Sequence, residues 1–185
     1  MSSNDSNYCA FYVEEPFTET NLGAHLKKDF CYYNMLKAWK KSDSSYPFKN
    51  AHDTTYNVRD DSDWEKTLKP RLHTRLSNSK NIILFLSSCT KNSKALREEI
   101  RYGVDELELP IIIVYPEHET IFDKSKDKFN QKIIDLWDKI PVLKDALNKV
   151  PTLHIPFNKD KLKSALNDKD LMVKTKSAII RYYLQ

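Results

Sequence analysis

Two adjacent carboxylates, Glu98 and Glu99, stand near the end of the segment SSCTKNSKALREEI, residues 87–100, and helical spacing separates them. On a wheel, Leu96, Ile100, Val104 and Leu107 share one apolar face with Gly103 beside them. Glu98 points almost opposite that face and is expected in water. Glu99 falls on the boundary, where a carboxylate leans over the preceding strand ends in a partly dry cleft. Such burial raises the pKa of a carboxyl group and suits it to contact a sugar or an oxocarbenium-like centre. The same position also fits a surface glutamate paired with Arg101 or Lys94, and the wheel leaves both readings open.

Other candidates cluster upstream. Ser87, Ser88 and Thr90 are small hydroxyl residues before a helix start, a place that leaves room for a ligand and supplies donors. Asn92 or Ser93 there also fits simple helix capping. The polar stretch 50–61 (NAHDTTYNVRDD) offers His52 and Asp53 to a ribose or phosphate and Tyr56 to a base, although each is also a common turn residue. No His, Cys, Asp and Glu spacing resembles a metal site. Ser87 and Ser88 lack the glycines of a nucleophile elbow. With only Gly23 and Gly103 in the chain, a glycine-rich phosphate loop is excluded.

The elements that must position these residues alternate in type. Residues 8–13 (YCAFYV) read as a first strand and 46–48 as a short second one. Residues 29–40 carry Phe30, Tyr33, Leu36 and Trp39 at helical spacing. A helix is expected from Ser62, with Glu65 completing a capping box, and Pro70 should kink or split it. Residues 81–86 (NIILFL) and 110–115 (PIIIVY) are apolar almost throughout, the pattern of strands covered on both faces. Between them 93–107 is helical. A helix over 128–137, a strand over 152–157, and helices over 159–166 and 170–183 complete the reading. The fold class expected is α/β, a flavodoxin-like three-layer sandwich with a mainly parallel five-stranded sheet, whose ligands bind beyond the carboxyl ends of the strands. One domain over 1–185 is expected, with a core at about 8–168 and a helical extension at about 169–185.

Bulk properties narrow the partners. Charged residues make up 30% and no apolar run is long enough to span a membrane, so no membrane partner is expected. The net charge of +4 comes from 30 basic and 26 acidic residues. The lysines of the C-terminal third are interspersed with acids, without the basic stripe and interleaved aromatics of a nucleic-acid footprint. The polar residues 1–7 lack a secretory signal pattern. Cys9, Cys31 and Cys89 are too few and scattered for a disulfide framework, so a cytoplasmic location is expected.

The segment 81–117 (NIILFLSSCTKNSKALREEIRYGVDELELPIIIVYPE) resembles the TIR-like domains of the Thoeris anti-phage family, ThsB. So does 32–39 (YYNMLKAW), followed by a Phe-containing segment and the NAHD of 50–53. The resemblance covers about residues 8–168. It implies a TIR-like fold and an enzyme that takes NAD⁺ as substrate, with no other cofactor, breaks the bond between nicotinamide and ribose, and makes a cyclic or modified ADP-ribose signal read by a separate effector. By the same resemblance Glu99 is the catalytic glutamate, Phe11 and Tyr12 line the nicotinamide pocket, and Ser87, Ser88 and Thr90 border it. Many relatives carry a tryptophan four residues before the glutamate, where this chain has Ala95, so the pocket wall there is smaller or supplied from elsewhere. A non-catalytic TIR-type adaptor acting by self-association is the alternative. A receiver-type signalling domain fits less well, because Ser87 stands where its phosphoacceptor aspartate belongs.

Overall fold

The computed structural model describes residues 4–14, 17–20, 23–52, 57–58, 63–176 and 181–183. Five strands, β1 (Ser6–Ala10), β2 (Ser79–Phe85), β3 (Ile111–Tyr115), β4 (Thr152–Pro156) and β5 (Arg181–Tyr183), lie side by side in that order, and every pairing is parallel. The described helices are α1 (Lys28–Ser42), α2 (Lys69–Ser77), α3 (Lys94–Arg101), α4 (Gln131–Asp138), α5 (Pro141–Ala146) and α6 (Lys159–Asn167).

The continuous apolar runs explain the layering. A strand alternates its side chains between two faces, so a run apolar at every position is stable only where both faces are covered. Ile82, Leu84, Ile111, Ile113 and Tyr115 pack with residues of α2, α3, α4 and α5. Ile83, Phe85, Ile112 and Val114 pack on the other face with Phe30, Tyr33 and Leu36 of α1 and Leu162 and Leu166 of α6. The register Ile82↔Ile111 and Leu84↔Ile113 stacks like residues into rows. Each of these isoleucines is fully buried, contributing on the order of 1.5–3 kcal/mol. The result is the expected flavodoxin-like three-layer α/β architecture.

Several local expectations are corrected. The second strand, expected at 46–48, is reduced to a single parallel bridge between Asn7 and Asn50. There the Asn7 backbone N–H donates to Lys49 O (2.6 Å) and its carbonyl accepts from Ala51 N (3.1 Å). The adjacent Pro47 has no N–H to extend a ladder. The fifth strand lies at the opposite edge instead: the helix expected over 170–183 is a single 3₁₀ turn, Lys169–Leu171, followed by β5 beside β4. The first strand ends at Ala10, so Phe11 and Tyr12 belong to the loop beyond it.

The helix expected from Ser62 is capped by Asp63, whose carboxylate accepts from Lys66 N; Ser62 itself lies outside the described residues. A π-helical turn, Trp64–Leu68, precedes α2, and Pro70 sits in the first turn of α2, where a missing N–H costs least. The helix expected over 128–137 begins later, because Lys128–Phe129 pairs with Phe122–Asp123 in a short antiparallel ladder. The helix expected over 93–107 ends its α-helical part at Arg101 and continues as a π-helical turn, Tyr102–Glu106. Gly103 lies in that turn, and a Cβ there would stand 2.5 Å from Ile82 Cδ1, so the glycine permits close approach to β2. Among the described residues no helix is long and apolar enough to cross a membrane.

Candidate functional site

Glu99 is brought to the sheet by the amphipathic pattern of α3. The Ser93 hydroxyl caps this helix by accepting from Leu96 N (3.1 Å), and Leu96 and Ile100 anchor it in the core. Glu99 follows them inward and is only 3% exposed. Its Oε1 accepts a hydrogen bond from the Tyr8 hydroxyl of β1 at 2.9 Å. Its Oε2 is buried without a hydrogen-bond partner. Burial pushes the carboxyl up to about 8, although the Tyr8 hydrogen bond and the Arg75 charge pull the other way. The reading of a surface glutamate paired with Arg101 or Lys94 is therefore set aside.

Arg101 belongs to Glu98 instead. Glu98 was expected in water, yet its side chain is only 11% exposed and accepts from His73 Nε2 of α2 (2.8 Å) and from Arg101 (2.7 Å). Burial alone would raise its pKa; Arg101 and His73 outweigh that and lower it. The His73 ring stacks on Tyr102 with centroids 3.5 Å apart, which fixes the imidazole against the glutamate.

Tyr8 connects Glu99 to a buried aromatic group. Its ring lies 4.8 Å from His52, and His52 in turn contacts Tyr33 (5.7 Å, edge-on) and Phe11 (6.3 Å). Phe11 stacks on Tyr33 at 5.0 Å. The His52 Nε2 lies 3.0 Å from Cys9 O. A carbonyl only accepts, so the proton sits on Nε2, and Nδ1 accepts from Arg75 Nη1 at 3.4 Å. Burial, reinforced by the Arg75 charge, holds His52 down at about 3, so the ring is neutral at physiological pH. Burial also raises Tyr33, whose hydroxyl accepts from Asn50. Glu99, Tyr8, His52, Arg75 and Phe11 thus form one contiguous set beside the carboxyl half of β1.

The remaining candidates form two further sets. Ser87 and Thr90 are buried and turn toward Asp29 in the first turn of α1. Both hydroxyls donate to the Asp29 carboxylate, Thr90 at 2.8 Å. The backbone N–H of Tyr12 also donates to Asp29, and Thr90 Oγ1 accepts from Ser87 N (2.9 Å). Burial raises Asp29 despite these donors. The Tyr12 ring carries Lys91 Nζ 5.6 Å from its centroid. Ser88 instead donates through its backbone N–H (2.8 Å) and hydroxyl (2.9 Å) to Glu117, which also pairs with Lys28 at 2.9 Å. Burial would raise Glu117, but the hydrogen bonds from Lys28 and Ser88 hold it at about 2.

These acids lock the loops beyond β1, β2 and β3 to the start of α1. Asp53 and Tyr56 lie outside the described residues, and Asn57–Val58 pairs antiparallel with Phe17–Thr18. Tyr8, Arg75, Asp29 and Glu117 were not among the expected site residues. The continuous run from Tyr8 marks β1 as buried on both faces, but nothing local marks the partner of the Tyr8 hydroxyl. Among the described residues no group of three or more His, Cys, Asp or Glu is placed to hold a metal ion.

A carboxyl group held near neutrality by burial, with one oxygen on a tyrosine hydroxyl and the other unbonded, is poised to change protonation when a charged ligand arrives. The family described as "Thoeris protein ThsB, TIR-like domain" matches residues 8–121, a span running from Tyr8 through α3 to the end of the loop after β3. Because that span is more than half of the chain and holds both partners of the Tyr8–Glu99 bond, this protein belongs to the TIR-like domain family of the Thoeris protein ThsB.

Proposed function

We propose that this chain cleaves NAD⁺ at the bond between nicotinamide and ribose and makes a cyclic or modified ADP-ribose signal that activates a separate effector in anti-phage defence. The observation that carries this reading is the buried Glu99 carboxyl with its unbonded Oε2. In the reaction the C–N bond breaks and nicotinamide leaves as a neutral molecule with the bonding pair. Positive charge develops on the ribose, then water or a nucleophile within the same molecule adds to C1 and loses a proton. The pyridinium of the substrate favours ionised Glu99, and the carboxylate so formed faces the developing charge. Phe11 and Tyr12 would line the nicotinamide, with Ser87, Ser88 and Thr90 at its border, and His52 and Asp53 toward the ribose or phosphates. Because Glu99 is 3% exposed, ribose reaches it only after a side chain over the carboxyl moves.

That same burial favours a second reading, a TIR-type adaptor that acts by self-association without catalysis, in which Glu99 ties α3 to β1. Nicotinamide release from NAD⁺ by concentrated protein, with and without lysate of infected cells, separates the two. Release that collapses by about 10²-fold or more in Glu99→Gln, with an intact melt, supports the enzyme. Equal release in both proteins takes the chemistry away from Glu99, and no release under any condition leaves the adaptor.

A further inference from the structure

A cavity of about 590 Å³ opens at the amino ends of β1 and β2, and no residue of the Glu99 group lines it. Its walls bring together four lysines, Lys40, Lys49, Lys80 and Lys174, from four separate parts of the chain, against one carboxylate, Asp5. Lys40 Nζ donates to Ser44 O (2.7 Å) and Tyr46 O (2.8 Å), so its charge is fixed in the wall. Lys49 reaches Asp5 at 3.7 Å with both side chains more than half exposed, a weak pair. Lys80, the second residue of β2, is half-buried, and among the described residues no group accepts a hydrogen bond from its ammonium. Burial lowers its pKa, and the nearby Lys49 adds to this against Asp5. An ammonium held in a recess of like charges is stabilised by an incoming anion. Pro47 and Met172 supply half-buried apolar surface to the same cavity. The volume is that of a site for a whole small molecule, well above the needs of a lone phosphate.

We propose that this cavity binds a phosphorylated nucleoside, its phosphates on Lys80 and Lys49 and its organic body against Pro47 and Met172. The site is separate from the Glu99 group and does not depend on NAD⁺ cleavage. Calorimetric titration of the full chain with ATP, ADP, inorganic pyrophosphate and adenosine tests it, alongside the methyl resonance of Met172. ATP is expected to bind below about millimolar Kd, to shift the Met172 methyl signal, and to bind more tightly than either pyrophosphate or adenosine. Lys80→Met keeps the buried stem and removes the charge, and it should weaken ATP at least about tenfold. Glu99→Gln should bind ATP as the wild type does. If Lys80→Met does not fold, the exposed Lys49→Gln carries the same expectation. No binding by any probe, ATP binding unchanged in the lysine variants, pyrophosphate binding as tightly as ATP, or binding without a Met172 shift would each overturn the proposal.

Discussion

The Tyr8 hydroxyl donates to Glu99 Oε1 at 2.9 Å across 91 residues of chain, so the buried carboxyl and the first strand of the sheet are one unit. Removing that hydroxyl in Tyr8→Phe should destabilise the fold by about 0.5–1.5 kcal/mol and push the carboxyl still higher. A rise in the pH at which Glu99 titrates, followed by carboxyl-labelled NMR, checks the direction.

The raised Glu99 pKa gives stability a pH dependence of definite sign. The group titrates at about 8 when folded against an ordinary value of 4.5. Between these values the folded chain holds a proton that the unfolded chain has released. The stabilisation is therefore complete below about 4.5, declines as pH rises, and is gone above about 8. Glu99→Gln lacks this decline. Relative to wild type it should gain on the order of a few kcal/mol between pH 5 and pH 8, read by denaturant melts at both. A constant difference between the two proteins across that range would refute the burial account.

Glu98→Gln tests the neighbouring carboxylate. It weakens the bonds from His73 and Arg101, and a loss of about 0.5–1.5 kcal/mol is expected, with nicotinamide release unchanged. Loss of release without loss of stability would mean that the wrong glutamate has been assigned.

Asp29→Ala removes the acceptor shared by Ser87, Thr90 and the Tyr12 backbone. Three donors lose their partner, two of them the buried hydroxyls of Ser87 and Thr90, so destabilisation of about 2–4 kcal/mol is expected. Amide exchange should speed up in residues 87–93 more than at β3. Uniform acceleration across the sheet would show that Asp29 does not act as a local lock.

Gly103→Ala places a Cβ against Ile82 Cδ1, with Leu76 Cδ2 next at 3.4 Å. Overpacking of about 1–3 kcal/mol is expected. Ile82→Val deletes the clashing methyl, so the double variant should be more stable than the sum of the two single losses. Strict additivity in the thermal or denaturant melts would rule out this contact.

The central strands were legible in the sequence because a continuous apolar run is a local signal, and 81–86 and 110–115 both lie at the centre of the sheet. Glu99 was legible only in part: the 3.6-residue period of Leu96, Ile100 and Val104 set it on the boundary of the apolar face, where a surface pairing fitted equally, and its burial against Tyr8 of β1 decided between the two. Which strand completes the sheet was decided only in three dimensions: 46–48 and 181–183 are both short and apolar in part, and pairing partners rather than composition chose between them. The fate of Glu98 depended on His73, 25 residues away, and that of Ser87 on Asp29, 58 residues away. Such bonds join side chains whose separation in sequence carries no period, so a helical wheel or a strand pattern holds no trace of them. Periodicity therefore determined where the apolar residues of each element face, and tertiary packing determined what the polar residues between them meet.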